Sequence, residues 1–373
     1  QAVAEGLGQG VDPARAGGAG IPAPFRDAFV AFCQAAALLG RGQAPEAYNA
    51  LQGAVQPTVD AFREDQENWM TPALHSLVFS LRRAAEAADA QLEREGKKRS
   101  RLESCGNHLM TCFSAAHRAQ GNKDKRIATL KVANALFRVY FRLNTLRLCR
   151  NIIRALEARN FVDFEAFPIG QRVTYMYFVG RLSIFDDRFM DADRQLSYAF
   201  ARCPLRYAKN RRLIVMYLLP VKLLLGQLPS AVLRQRLGLD QMYGDIIEAM
   251  RTGSIRQFNS ALEQHLPAYI RDGTFLVLEK LRFAVLRRLL KRVLLIHGQA
   301  RPEKKAQLPL GLFQVALGWQ GVEMDLDEVE CVVANMIHRK YIKGYLSHKN
   351  RVLVVSKQEP FPALQKVLLA DPM

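Results

Sequence analysis

The chain has 373 residues, 49% of them hydrophobic, with 53 Lys and Arg against 35 Asp and Glu and a net charge of +18. That length supports a large core or two packed units, and the positive excess points to a polyanionic partner: nucleic acid, an acidic lipid surface or an acidic protein. The most apolar run, LIVMYLLPVKLLL at 213–225, is interrupted by Pro220 and Lys222. It is too short for a bilayer span, which needs about 20 residues.

Taken in chain order, residues 1–24 are rich in Gly, Ala and Pro. They predict a flexible leader; the GLGQG within it lacks the preceding strand and following helix of a nucleotide loop, and no secretory signal pattern is present. From Phe25 the apolar spacing is three to four and predicts helices. FRDAFVAFCQAAALL is the first, and GRGQAPEA turns and restarts one. VDAFREDQENWMTPALHSLVFSLRRAAEAADAQLERE gives one or two more, then GKKRSR a basic loop. SCGNHLMTCFSAAHRAQ is helical up to GNKDK, and two amphipathic helices meet near Asn144.

QRVTYMYFVGRLSIFDDRFMDADRQLSYAFARCP predicts a helical hairpin. Its first helix ends near Phe185, Asp186 and Asp187 form the turn, and Phe189, Ala192, Leu196, Ala199 and Phe200 share a face of the second. Gly180 and Ala192 are small enough to bring the two helices close, as in stacked helical repeats, although no exact repeat period exists. A basic helix start at Lys209, Arg211 and Arg212 leads into an apolar helix expected to break at Pro220 and stop at Gly226. The run FLVLEKLRFAVLRRLLKRVLLI at 275–296 predicts one continuous helix. Lys280, Arg287, Arg288, Lys291 and Arg292 would share one of its faces, since offsets of 7, 8, 11 and 12 return to the same side.

HGQARPEKKAQLP reads as a linker, after which the character changes. LGLFQVALGWQG is a short helix, Asp325 or Asp327 caps a second, DEVECVVANMIHRKYI, and IKGYLSHKN with RVLVVS alternates like a hairpin around Lys349 and Asn350. Helix, helix and two-stranded ribbon make a winged helix. The fold class is therefore mainly α: a TPR-like stack of helical hairpins over 25–305, a winged helix over 306–358 and a tail over 359–373.

Catalytic and metal chemistry is not legible. Cys105, His108, Cys112 and His117 lie on one predicted helix, whereas structural zinc usually draws ligands from two elements; core Cys with partly exposed His is the stronger reading. Glu64, Asp65 and Glu67 read as a solvated helix turn. No nucleophile elbow, HExxH or Walker loop appears. The six cysteines (33, 105, 112, 149, 203 and 331) show no paired spacing, which favours reduced, buried thiols and an intracellular setting. We expect no cofactor, no metal and no enzymatic activity.

The basic segments carry the functional signal. Six Lys and Arg between Arg339 and Lys357 stand without an acid, while five acids crowd Glu323 to Glu330. In a winged helix Arg339, Lys340 and Lys343 end the third helix, and Lys349 and Arg351 sit at the wing tip, a surface suited to phosphates. Tyr341, Tyr345 and His348 are candidates for stacking on unpaired bases, with core packing the stronger reading for the tyrosines. Glu328 and Glu330 near the start of the helix would repel phosphates. That argues against a groove-reading helix and against a sequence-specific regulator.

The helical hairpins running into a terminal winged helix resemble the PCI domain of proteasome-lid, COP9-signalosome and initiation-factor subunits. Three segments resemble more closely the PCI-domain-containing protein 2 family, which supplies the PCI subunit of transcription-export complex 2 (TREX-2). They are QRVTYMYFVGRLSIFDDRFMDADRQLSYAF, KNRRLIVMYLLPVKLLLG and DEVECVVANMIHRKYIKGYLSHKNRVLVVSKQEPFP. The resemblance covers about 130–362 strongly and 25–129 weakly.

It implies a non-catalytic scaffold subunit at the nuclear pore, coupling transcription to mRNA export. The implied partners are a GANP-type large scaffold, a small acidic DSS-type protein, and RNA or DNA. The implied nucleic-acid surface is Arg339, Lys340, Lys343, Lys349 and Arg351, with Arg287, Arg288, Lys291 and Arg292 as further contributors. Lys209, Arg211 and Arg212 would meet the acidic protein, and the wing strands, through Tyr345, Val352 and Val354, would dock a partner's module. The alternative from the same fold is a subunit of a lid, signalosome or initiation assembly.

Overall fold

The computed structural model describes residues 23–119, 123–158 and 161–370. They divide into two compact units with the boundary between Phe178 and Val179. GLGQG and nearly all of the expected leader lie outside the described residues.

The first unit is helical. Its elements are α1 (Ala23–Gly40), α2 (Ala44–Gly53), α3 (Val55–Glu64), α4 (Thr71–Arg94), α5 (Arg101–His117), α6 (Lys123–Arg142), α7 (Leu146–Leu156) and the first half of α8 (Ile169–Phe185). α1 packs on α2, α2 on α4, α4 on α5, α5 on α6 and α6 on α7. This serial stacking lets each apolar face bury against the next. On α4 the buried Leu74, Leu77 and Leu81 recur at helical spacing.

Asp89 of α4 also fixes the start of α5, accepting the N–H groups of Ser100, Arg101 and Leu102 at 3.2, 2.9 and 3.0 Å. These are donors that a helix N-terminus leaves without a partner. Asn144, with φ of 56°, makes the turn between α6 and α7.

The acidic turn is not simply solvated, as its composition suggested. Asp65 is buried and accepts the N–H of Glu67 and of Met70, each at 2.9 Å. The Lys125 amine, also buried, donates to the Phe62 and Asp65 carbonyls and sits over the Phe62 ring. The carboxylate is kept inside because it organises the link from α3 to α4.

The Cys105 and Cys112 thiols lie in the α5 core, and burial pushes both up to about 12. His117 stacks between Phe113 and Phe161, its Nε2 3.2 Å from the Ala155 carbonyl. Among the described residues no three His, Cys, Asp or Glu gather in a metal-ligating group. Cys149 and Cys203 are buried as well, but Cys33 is half-buried and Cys331 exposed, so the expectation of buried thiols fails at these two.

The second unit begins within α8. It continues with α9 (Phe189–Arg202), α10 (Ala208–Leu224), α11 (Ala231–Arg236), α12 (Asp240–Thr252), α13 (Ile255–Gln264), α14 (Leu266–Asp272), α15 (Phe275–Glu279) and α16 (Arg282–Ala300). Then come β1 (Gln307–Pro309), α17 (Leu310–Trp319), α18 (Leu326–His338), β2 (Gly344–Ser347), β3 (Val352–Val355) and α19 (Leu364–Ala370).

The α8–α9 hairpin forms as its pattern predicts. Phe189, Ala192, Leu196 and Ala199 are buried, Phe200 half-buried, and Asp187 takes the turn with φ of 56°. The close approach falls at Gly180, where a Cβ would lie 2.6 Å from Leu196 Cγ.

Three sequence expectations need correction. α10 continues through Pro220 and stops at Gly226. Proline has no N–H, so the Met216 carbonyl four residues back lacks its helical donor. The Tyr243 hydroxyl of α12 supplies one at 3.3 Å, which is why the helix tolerates the proline.

The run 275–296 is not one helix: it breaks at Lys280 and Leu281, where Leu281 N–H bonds to the Leu278 carbonyl. Leu278 and Leu281 are both fully buried, and Lys280 leaves the basic face to pair with Asp187 at 2.6 Å.

The supposed linker is ordered structure. α16 runs to Ala300, and Gln307–Pro309 forms a third strand, giving a sheet of order β1-β3-β2, antiparallel throughout. Leu308 pairs with Leu353, and Leu353 with Leu346. Leu308 and Leu353 fill the inner face, so the strand hidden in a polar stretch is held by one buried leucine.

Candidate nucleic-acid and partner interface

The winged helix is assembled from local signals. Asp325 caps α18 through a reciprocal capping box: Glu328 N–H bonds to Asp325 Oδ1 at 2.8 Å and Asp325 N–H to Glu328 Oε2 at 2.9 Å. Val329, Val333 and Met336 line the buried side of α18. The helix ends at His338, earlier than its pattern suggested, because Lys340 adopts φ of 63° and the Tyr341 and Ile342 N–H groups fold back on the Met336 carbonyl. Tyr341 is thereby buried and stacked on Phe283 at 5.8 Å, so it offers no face to a base.

The basic residues of the wing differ in how they are compensated. Arg351 lies 2.5 Å from both Asp327 Oδ1 and Glu330 Oε2. Asp327 and then Glu330 hold its guanidinium above the usual arginine range. His348 Nδ1 is 2.9 Å from Glu330, whose carboxyl is held low by His348 first and Arg351 after it. Of the two acids expected to face phosphate, Glu330 faces the wing instead, and Glu328 is taken up by the capping box with Asp325. Lys343 pairs with Glu359 at 3.0 Å, and Lys366 binds the same carboxylate at 2.8 Å. Arg339 is half-buried, its guanidinium 4.7 Å from the Phe283 ring. Lys340 and Lys349 are exposed.

On α16, Arg287 is half-buried and turned inward. It donates to the Tyr341 carbonyl at 3.3 Å and the Pro362 carbonyl at 2.5 Å, with Phe361 against its guanidinium. Burial pulls its charge equilibrium down. Lys291 approaches the same Phe361 ring at 5.9 Å. Arg288 and Arg292 are exposed and donate to the Arg251 and Thr252 carbonyls at 3.0 and 2.5 Å.

Residues 360–364 of the expected tail thus dock: Phe361 and Pro362 bind α16, Lys343 N–H bonds to the Pro360 carbonyl, and Leu364 lies beside Gly226.

At the start of α10, Lys209 and Arg212 are exposed among Leu205, Tyr207 and Leu213, of which Leu205 is 80% exposed. Arg211 is spent internally on the Phe200 and Cys203 carbonyls at 3.1 and 2.6 Å. Tyr345 is 63% exposed, opposite Val354 in the register, with the half-buried Val352 two residues away on the same outward face.

Sequence reasoning missed the acidic partners of Arg351 and Lys343. The three-residue offset from Asp327 to Glu330 does place both on one side of a helix, but no local signal says that this side meets the wing.

A PCI domain model matches residues 262–357, the stretch from the end of α13 through β3. "Enhanced ethylene response protein 5" of Arabidopsis thaliana is 40% identical over 87% of this chain and 77% of its own length. "PCI domain-containing protein 2" of Xenopus laevis is 38% identical over 92% of this chain and 86% of its own. The homologue of that name in Drosophila melanogaster is 39% identical over 86% and 80%. With its helical hairpins, its winged helix and relatives 38–40% identical over more than three quarters of their own length, the chain belongs to the PCI domain-containing protein 2 family.

Proposed function

We propose that the protein is a non-catalytic scaffold subunit of a TREX-2-like complex, acting at the nuclear pore in mRNA export. It binds a GANP-type scaffold through the winged helix and a small acidic DSS-type protein near the start of α10. It binds nucleic acid jointly with the scaffold. The observation that carries the reading is the outward face of the wing sheet, where Tyr345, Val352 and Val354 present apolar surface, with exposed Lys340 and Lys349 on either side of β2 in the sequence. An exposed tyrosine on an apolar sheet face suits a partner module, and the flanking lysines suit phosphate. Exposed Leu205 and Leu213 beside Lys209 and Arg212 suit an acidic segment with apolar anchors.

The test is co-purification with the scaffold, followed by single-stranded RNA binding across a salt series. Each phosphate contact contributes about 0.7 to the log–log slope. Tyr345→Glu is expected to release the scaffold. Asp327→Asn combined with Glu330→Gln uncovers Arg351 and is expected to raise RNA affinity and steepen the slope by about 0.7. Assembly with proteasome-lid, signalosome or initiation-factor subunits in place of the scaffold overturns the reading.

A further inference from the structure

A second basic surface of this unit differs from the wing in one respect: its arginines are held by neutral groups. Arg288 and Arg292 bind the Arg251 and Thr252 carbonyls at the end of α12. Arg256, exposed at the start of α13, donates to the Trp319 carbonyl at 2.5 Å and packs beside Gly321. Ser254 Oγ and Gln320 Oε1, 3.0 Å apart, tie the α12–α13 turn to the end of α17. Trp319 stands there 81% exposed.

Carboxylates near this turn are few in their effect. Glu248 pairs with Arg251, Asp245 accepts from Gln257, and Glu323 is exposed. The bonds of Arg256, Arg288 and Arg292 go to carbonyls, and a carbonyl orients a guanidinium without neutralising it and leaves most of its five N–H donors free. At Arg351 and Lys343 of the wing, by contrast, a phosphate must displace Asp327, Glu330 or Glu359.

We infer that Trp319 with Arg256, Arg288 and Arg292 forms a stacking site for single-stranded nucleic acid. A base lies on the indole, and the adjoining phosphates lie on the arginine row. An aromatic face beside fixed cations is the arrangement that binds single strands without reading sequence. The inference rests on the nucleic-acid reading proposed above. Leu312 and Val315, 42% and 59% exposed on the Trp319 side of α17, favour a protein occupant instead, and that occupant is an outcome of the test.

The chain has two tryptophans, Trp69 and Trp319. In a Trp69→Phe full-length protein, titration with single-stranded oligoadenylate is expected to quench the remaining emission. Trp319→Ala is expected to weaken binding about tenfold and Trp319→Phe to retain most of it, while Arg292→Gln flattens the salt slope by about 0.7. An exposed side chain leaves the fold intact, which circular dichroism checks. Salt-sensitive binding with unchanged emission, unaltered by Trp319→Ala, overturns this site and leaves the nucleic-acid reading standing. Absence of any RNA binding, alone or with the scaffold, overturns both. Loss of the scaffold on Trp319→Ala with RNA binding unaltered assigns the α17 face to protein docking.

Discussion

Tyr243 and Pro220 make a linked pair whose coupling can be measured. Proline inside a helix costs about 3 kcal/mol, partly through the carbonyl it leaves without a donor. Here that carbonyl belongs to Met216 and receives the Tyr243 hydroxyl at 3.3 Å. Tyr243 is fully buried and Pro220 lies inside α10, so water offers no substitute. Tyr243→Phe strands the Met216 carbonyl and is expected to destabilise by about 1–3 kcal/mol. In a Pro220→Ala background the backbone N–H restored at that position reaches the same carbonyl, and Tyr243→Phe then costs about 1 kcal/mol less. Urea unfolding of the four proteins, with hydrogen exchange at the amides of α10, completes the cycle. Equal costs in both backgrounds, within about 0.5 kcal/mol, refute the argument that the tyrosine stands in for the missing donor.

Two further expectations concern packing and pH. Gly180→Ala places a Cβ 2.6 Å from Leu196 Cγ and is expected to cost about 1–3 kcal/mol, read as a lowered melting temperature. Glu359, bound by Lys366 and Lys343, has its carboxyl held down at about 2 from an ordinary 4.5. Its depressed folded-state value means that its contribution is present above about pH 4.5 and is lost as pH falls through 2. The stability difference between the native protein and Glu359→Gln is therefore expected to shrink over that window in acid unfolding and to vanish below it, and a gap that does not narrow between pH 4.5 and 2 contradicts the ion-pair reading.

The helical class, the α8–α9 hairpin and the winged helix were legible because they rest on local chemistry. Apolar residues at helical spacing fix which face is buried, Asp325 with Glu328 fixes a helix start, and alternation in RVLVVS fixes a strand. Gly180 announced a close approach for the same reason: a missing side chain is a local fact.

What the sequence did not disclose are consequences of distant residues meeting. Pro220 is a helix breaker until a tyrosine 23 positions later feeds its orphaned carbonyl. Gln307–Pro309 looks like linker until it pairs with β3, and 275–296 reads as one helix until Leu278 and Leu281 are buried together. The basic residues show the limit most clearly. Composition alone set the +18 charge. Only the tertiary structure separated Arg351 and Lys343, already paired with carboxylates, from Arg288 and Arg292, held by carbonyls, since a charge is displayed or cancelled according to what the fold brings within a few ångströms of it.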